Sequence, residues 1–220
     1  MGDKRLLVMF PGVGYHCDKP LLYYGRKIAR EAGYEECVQV SYSAPVDKIR
    51  GDEEKMNKTF ESMYQQTEEQ LHDIKWEEYD DVLFMSKSIG TIIAATYAKE
   101  HELRNVRQVL YTPLADTMKV LGAVDVSEVI EVTDTKDSSD TDKNTNCKES
   151  FTSIAFIGTN DPWSNIAEII DLASEINITL HIYEDADHSL ETGDILSDLD
   201  TIREVMEKTN LFCLGKEIER

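Results

Sequence analysis

The sequence has 220 residues, enough for one domain with a sizeable hydrophobic core. Hydrophobic residues make up 41% and charged residues 30%, as in ordinary soluble proteins, but 43 acidic against 23 basic residues give a formal net charge of −20. So acidic a surface repels nucleic-acid phosphates and anionic lipid head groups, and we expect neither nucleic acid nor a membrane as a partner. No apolar run approaches the roughly 20 residues of a membrane-spanning helix.

The N-terminal segment and the cysteines bear on the cellular compartment. The apolar run Leu6–Phe10 is shorter than the core of a secretory signal, about 7–15 residues, and no small-residue cleavage site follows it. The cysteines are widely spaced and form no Cys-x-x-Cys pair: Cys17, Cys37, Cys147 and Cys213. We therefore expect a cytoplasmic protein with reduced thiols, no metal site and no cofactor.

Short apolar segments alternate along the chain with segments of helical periodicity. The predicted strands are Arg5–Phe10, Cys37–Tyr42, Asp81–Met85, Gln108–Tyr111, Ser153–Ile157 and Thr179–Tyr183. Their nearly continuous apolar sequences are typical of strands buried on both faces of a parallel sheet. The predicted helices are Pro20–Ala32, Glu53–Ile74, Ile89–Glu100, Asn165–Glu175 and Gly193–Lys208. This alternation predicts an α/β fold with about six mainly parallel strands and helices on both faces.

One segment, residues 133–150, interrupts this alternation because it contains no large apolar residue. We expect a long, acidic, solvated loop within a single domain that spans residues 1–220. Asp140, Asp142 and Asn144 alternate as ligands of a calcium loop do, but Thr145 stands where such a loop needs glycine. The solvated loop is therefore the favoured interpretation.

The predicted strand Asp81–Met85 runs through Ser88 directly into an apolar helix. Ser86 and Gly90, two residues before and after Ser88, are small, as a sharp strand-to-helix turn requires. Such a turn exposes the central hydroxyl and places the N–H of Ile89 at a helix N-terminus, where it can stabilise an oxyanion. We predict Ser88 as a nucleophile; Ser86 is the alternative nucleophile, and an ordinary helix cap is the alternative to catalysis.

A nucleophilic serine needs a base and an acid that orients the base. His188 lies in the loop after the last predicted strand, and Asp161 follows the strand before it. Both therefore belong to loops at the carboxyl ends of parallel strands, where open α/β sheets build their sites. Asp185 and Asp187 are alternative acids, although residues so near His188 in sequence do not easily reach the far nitrogen of its ring.

The order Ser88, Asp161, His188, each just after a strand, resembles the nucleophile, acid and histidine of the α/β-hydrolases. The residues after the first strand, Phe-Pro-Gly-Val-Gly-Tyr, resemble the oxyanion-hole loop of that family, with Pro11 in place of the usual histidine. The resemblance covers residues 5 to about 208 and implies Val13 and Ile89 as oxyanion donors.

The resemblance also implies a small α/β-hydrolase fold that lacks the family's first two strands and any large cap, similar to bacterial dienelactone hydrolases and acyl-thioesterases. It implies hydrolysis of a small carboxylic ester or thioester through an acyl-enzyme. A serine peptidase or amidase, or a non-catalytic binding protein, are the alternatives. The partner is then a small acyl substrate, and the candidate substrate contacts are Gly12, Gly14, Tyr15, His16, Lys87 and Trp163.

Overall fold

The computed structural model describes residues 3–43, 49–103, 106–127, 152–176 and 178–218. Its strands are β1 (Arg5–Phe10), β2 (Glu36–Gln39), β3 (Asp81–Lys87), β4 (Val106–Tyr111), β5 (Ser153–Gly158) and β6 (Ile178–Tyr183). Its α-helices are α1 (Pro20–Glu31), α2 (Glu53–Leu71), α3 (Ile89–Glu100), α4 (Ala115–Ser127), α5 (Ile166–Glu175) and α6 (Ile195–Cys213). A short 3-10 helix, Trp76–Glu78, precedes β3.

The six strands form one parallel sheet in the order β2-β1-β3-β4-β5-β6. The chain builds outwards from β1 to the edge strand β2, then returns to the other side of β1 and continues to β6. The loops after β1 and β3 therefore leave the sheet in opposite directions from neighbouring strands, which opens a crevice at their carboxyl ends. The predicted α/β class with mainly parallel strands is confirmed.

The sheet is covered on both faces, and the alternation of side chains along the inner strands explains why. In β1, Leu7 and Met9 pack with buried residues of α1 and α6, whereas Val8 and Phe10 pack with those of α2 and α3. Helices α4 and α5 cover the same face as α3 farther along the sheet. An inner strand thus meets apolar neighbours on both faces, which produces the continuous apolar sequences.

The prediction that all six strands are buried on both faces is wrong for the edge. In β2, Glu36, Cys37 and Gln39 are exposed, and the strand ends at Gln39 rather than at Tyr42. An edge strand has a neighbour on one side only and lies at the margin of the helical layers, so its side chains remain partly in water. In β6, the other edge strand, Ile182 is likewise exposed.

Helix α4 was not predicted, because its apolar positions are irregular. Met118 and Leu121 nevertheless pack against residues of α3 and α5, so tertiary contacts support the helix. Between β4 and β5 the described residues contain this helix and no cap domain. The predicted acidic loop, residues 133–150, lies outside the described residues. No described helix combines the length and the apolarity needed to cross a membrane.

Candidate active site

Ser88 lies at a sharp turn between β3 and α3. Its backbone angles, φ 57° and ψ −129°, are strained for a residue with a side chain. The hydroxyl makes no capping hydrogen bond to α3, so Ser88 is not an ordinary helix cap. Gly90 permits the turn, because a Cβ atom there would lie 2.2 Å from the carbonyl oxygen of Phe10. The tight approach of α3 to the end of β1 therefore requires glycine at this position.

The alternative nucleophile, Ser86, lies inside the sheet. Its side chain is 0% exposed, and its hydroxyl donates a hydrogen bond to the carbonyl oxygen of Val109 at 3.3 Å. A substrate on the surface of the protein therefore has no access to this hydroxyl. Of the two serines, only Ser88 presents its hydroxyl to the crevice.

Three predicted residues come together at the carboxyl ends of β3, β5 and β6. The Nε2 atom of His188 lies 2.7 Å from the hydroxyl of Ser88, and the Nδ1 atom lies 2.7 Å from Oδ2 of Asp161. The second carboxylate oxygen of Asp161 accepts the backbone N–H of Trp163 at 2.8 Å. With the imidazole proton on Nδ1, His188 donates to Asp161 and can accept the proton of Ser88.

The loops that carry Asp161 and His188 are packed directly on each other. A Cβ atom at Gly158 would lie 2.0 Å from the carbonyl oxygen of Ala186, so the end of β5 touches the backbone of the His188 loop. The same carbonyl accepts the N–H of Asn160 at 3.0 Å. This backbone contact holds the carboxylate of Asp161, whose side chain is only 1% exposed, against the imidazole.

The alternative acids do not contact the imidazole. Asp187 accepts the backbone N–H groups of Ser189, at 2.6 Å, and of Glu191, at 3.2 Å, and so shapes the turn that carries His188. Asp185 faces the side chain of Asn160. Among the carboxylates that the structure describes, only Asp161 binds Nδ1 of His188.

Burial lowers the pKa of His188 below its usual 6.5, and the positive charge of Lys87 lowers it further, against the opposing effect of Asp161. A lowered pKa means that the imidazole is neutral at neutral pH. A neutral imidazole is the form that can take a proton from a serine hydroxyl.

The loop after β1 forms a tight turn beside Ser88. Gly12 and Tyr15 exchange two backbone hydrogen bonds of 3.2 Å, and Gly14 between them has φ 70°, which favours glycine. A Cβ atom on Gly12 would lie 3.1 Å from the Cβ atom of Ser88. In the described part of the chain, the N–H groups of Val13 and Ile89 have no hydrogen-bond partner. Both are therefore free to bind an oxyanion.

The candidate substrate contacts differ in exposure and in the neighbours that their side chains already bind. Trp163 is half-buried, and its ring lies 5.7 Å from the imidazole ring of His188. The hydroxyl of Tyr15 accepts the N–H of Leu21 at 3.0 Å, and burial raises its pKa to about 12. The side chain of His16 is 66% exposed and lies beside Asp18. Trp163 thus borders the predicted catalytic histidine, whereas the hydroxyl of Tyr15 is bound to the first turn of α1.

The expectation for Lys87 needs correction. Its side chain is 1% exposed, and its Nζ atom donates to the hydroxyl of Thr112 at 2.5 Å and to the backbone oxygen of His188 at 2.6 Å. As the last residue of the buried strand β3, it points into the protein and cannot contact a substrate. Thr112 was not predicted as a site residue, although a polar residue directly after a predicted strand is a usable signal.

Comparisons with known proteins identify the fold. No protein-family model and no curated protein matches the sequence. A dienelactone hydrolase from Anabaena variabilis superimposes with a TM-score of 0.55 at 14% identity, covering 94% of this chain and 85% of that chain. A Bacillus cereus carboxylesterase gives 0.52 at 17% identity, with 92% and 89% covered. An α/β serine hydrolase homologue from Coxiella burnetii gives 0.50 at 12%, with 91% and 84% covered. The chain therefore adopts the α/β-hydrolase fold.

Proposed function

We propose that the protein is a serine hydrolase that cleaves a small carboxylic ester or thioester through an acyl-enzyme intermediate. The observation that carries this proposal is the unbroken series of hydrogen bonds from Ser88 through His188 to Asp161, two contacts of 2.7 Å each. A strained serine, a neutral imidazole and a buried carboxylate in this arrangement are the components of nucleophilic acyl transfer.

In the proposed reaction, the hydroxyl oxygen of Ser88 attacks the acyl carbonyl carbon while Nε2 of His188 takes the hydroxyl proton. Asp161 stabilises the imidazolium, and the N–H groups of Val13 and Ile89 donate to the oxyanion. The imidazolium then gives its proton to the departing alcohol or thiol, and the acyl group remains on Ser88. Water gives a proton to His188 as it attacks the acyl carbon; the bond to Ser88 then breaks, His188 returns the proton to the Ser88 oxygen, and the acid leaves. All groups used belong to this chain, so the proposed reaction requires no cofactor.

The choice of an ester rests on the neighbours. Two proteins of the same fold are a dienelactone hydrolase and a carboxylesterase. Their names favour a carboxylic ester for this chain as well, whereas no feature of the described residues favours an amide. A non-catalytic homologue is expected to have lost at least one of the three catalytic groups. Here Ser88, His188 and Asp161 are all present and in contact, which favours an enzyme.

A fluorophosphonate probe tests the nucleophile, because it reacts covalently with an activated serine. We expect the wild-type protein to be labelled and Ser88→Ala not to be labelled. The matched control is Ser86→Ala, which removes a hydroxyl two residues away and should still be labelled. No adduct on the wild-type protein, or an adduct that survives in Ser88→Ala, contradicts the proposal.

Turnover of p-nitrophenyl esters, acyl thioesters and p-nitroanilides tests the reaction class. We expect hydrolysis of short-chain esters or thioesters, with a loss of about 10⁴-fold or more in kcat for Ser88→Ala. Hydrolysis of the anilides alone would instead indicate an amidase. A protein that accepts the probe but turns over none of these substrates would not be the esterase proposed.

A further inference from the structure

The side chain of Lys87 joins the ends of three strands behind the candidate site. Lys87 ends β3, its ammonium group donates to Thr112 at the end of β4, and it also donates to the backbone oxygen of His188 after β6. Thr112 is held in turn, because its N–H donates to the carbonyl oxygen of Phe156 at 2.7 Å. The ring of Tyr15, in the loop after β1, lies 5.1 Å from the ammonium nitrogen. This one cation therefore contacts the loop of the proposed oxyanion donors and the loop of the proposed base.

The charge of this ammonium is not neutralised by direct contact. Among the described residues, no carboxylate lies within ion-pair distance of Nζ of Lys87, and the groups facing it are Asp161, Asp187, Tyr15 and His188. The oxygens of Asp161 are already engaged with His188 and Trp163. Burial lowers the pKa of Lys87 to about 7, with Asp161 and Asp187 acting in the opposite direction.

We propose that Lys87 is a positioning residue for His188. Its ammonium group holds the backbone of the His188 loop against β3, and its positive charge favours the neutral imidazole that accepts the proton of Ser88. The effect of Lys87 on the rate rests on the proposed function, whereas its contact with the His188 loop does not. Lys87 thus contacts the loop of the proposed base rather than a substrate.

Two physical effects follow from this placement. The hydrogen bond of 2.6 Å to the backbone of His188 limits how far the imidazole can move from Ser88, and small displacements of a catalytic group are costly in rate. A positive charge near the imidazole disfavours its protonation, and Lys87 lowers the pKa of His188 in this way. Removing the charge should therefore raise the pKa of His188.

The experiment replaces Lys87 with two neutral side chains, Lys87→Met and Lys87→Gln. Lys87→Gln keeps N–H donors, and it replaces Lys87→Met in the experiment if circular dichroism shows that Lys87→Met does not fold. The pKa of each of the five histidines is followed by NMR titration of the imidazole nitrogens, and the pH dependence of kcat/KM is measured in parallel. In both variants we expect His188 to titrate at higher pH, so that the acid limb of kcat/KM moves to higher pH.

The chain offers a matched control in a second lysine–histidine pair. Burial lowers the pKa of His181, and the charge of Lys208 lowers it further. Lys208→Met should raise the pKa of His181 and leave that of His188 unchanged, whereas the Lys87 variants should do the reverse. At the optimum pH we also expect Lys87→Met to lose about 10- to 100-fold in kcat with a smaller change in KM.

A merely structural role for Lys87 would lower the folded fraction but leave the pKa of His188 unchanged in the molecules that fold. An unchanged pKa of His188 in both neutral variants overturns the inference. If the wild-type protein hydrolyses no ester and accepts no probe, the proposed function fails, and the NMR titration alone still decides whether Lys87 acts on His188.

Discussion

Two basic side chains at opposite ends of the sheet, the half-buried Arg107 and the buried Lys87, have different hydrogen-bond partners. Near the start of β4, Arg107 binds both carboxylate oxygens of Asp81, at 2.9 and 3.2 Å, and donates to the carbonyl oxygen of Phe212 at 2.6 Å. It also donates to the hydroxyl of Tyr34. At the end of β3, Lys87 has a hydroxyl and a carbonyl as partners, and no carboxylate of the described residues binds it.

The pKa values reflect this difference. Burial alone would lower the pKa of Arg107, but its hydrogen bonds and charge interactions with Asp81 and Tyr34 outweigh burial and raise it. For Lys87, burial dominates and the pKa falls to about 7. At the amino end a cation is fully paired and ties the last turn of α6 to the sheet. At the carboxyl end a cation is left uncompensated beside the proposed base.

The backbone follows the same division. Of the five described non-glycine residues with positive φ, four lie in segments that follow a strand: Ser88, Thr112, Asp185 and Leu190. Such conformations are unfavourable by about 1–3 kcal/mol each and persist where surrounding contacts impose them. Strain and uncompensated charge thus gather at one end of the sheet, which is the end that carries the candidate site. Mutations at the carboxyl end should therefore change the rate or the pH dependence of stability, whereas a mutation at the amino end should lower stability and leave the rate unchanged.

The largest effect is expected from Asp161→Asn at the carboxyl end. The oxygen of the amide should keep the N–H of Trp163, so its NH2 group faces Nδ1 as a donor. His188 should then carry its proton on Nε2, the wrong tautomer, and kcat should fall by about 10⁴-fold. Ester hydrolysis at saturating substrate measures this loss, and thermal unfolding should show a much smaller change. Asp187→Asn is the control, because Asp187 shapes the turn without touching the ring. Equal losses in the two variants would contradict the assignment of the acid.

Lys87→Met should change how stability depends on pH. In the unfolded chain Lys87 titrates near 10.5, whereas in the folded protein its pKa is about 7, so the unfolded state binds more protons between these values. The stability of the wild-type protein relative to Lys87→Met should therefore rise with pH in this window, by up to about 1.4 kcal/mol per pH unit. Well below pH 7 Lys87 is protonated in both the folded and the unfolded state and adds no further slope. Urea unfolding from pH 6 to 9.5 measures the difference, and above about pH 7.5, beyond the range in which His181 titrates, Lys208→Met should run parallel to the wild type.

The smallest effect is expected from Arg107→Met at the amino end. It leaves Asp81 with the hydroxyl of Tyr34 alone and removes a donor from two carbonyl groups of α6. Because both charged groups are partly exposed, we expect a loss of about 2 kcal/mol in the free energy of unfolding. The kcat of the folded variant should stay within about twofold of wild type, since Arg107 is remote from Ser88. A large fall in kcat at full folding would show that the two ends are not separable.

Local sequence was sufficient for much of the fold. The bounds of β1 and α3 agree with those predicted, because a continuous apolar run and a small apolar helix leave little choice of burial. Strand β2 and helix α4 could not be predicted equally well. The exposure of β2 depends on its place at the edge of the sheet, and α4 depends on contacts with α3 and α5.

For the site, the sequence by itself determined which residues stand at strand ends: Ser88, Asp161 and His188 each follow a strand within a few positions. What only the tertiary structure decided is which neighbours these residues meet. Ser86 and Ser88 are alike in sequence, and only the sheet buries the first. Lys87 meets Thr112 and His188, which are 25 and 101 residues away, so its burial depends on contacts that no local pattern encodes.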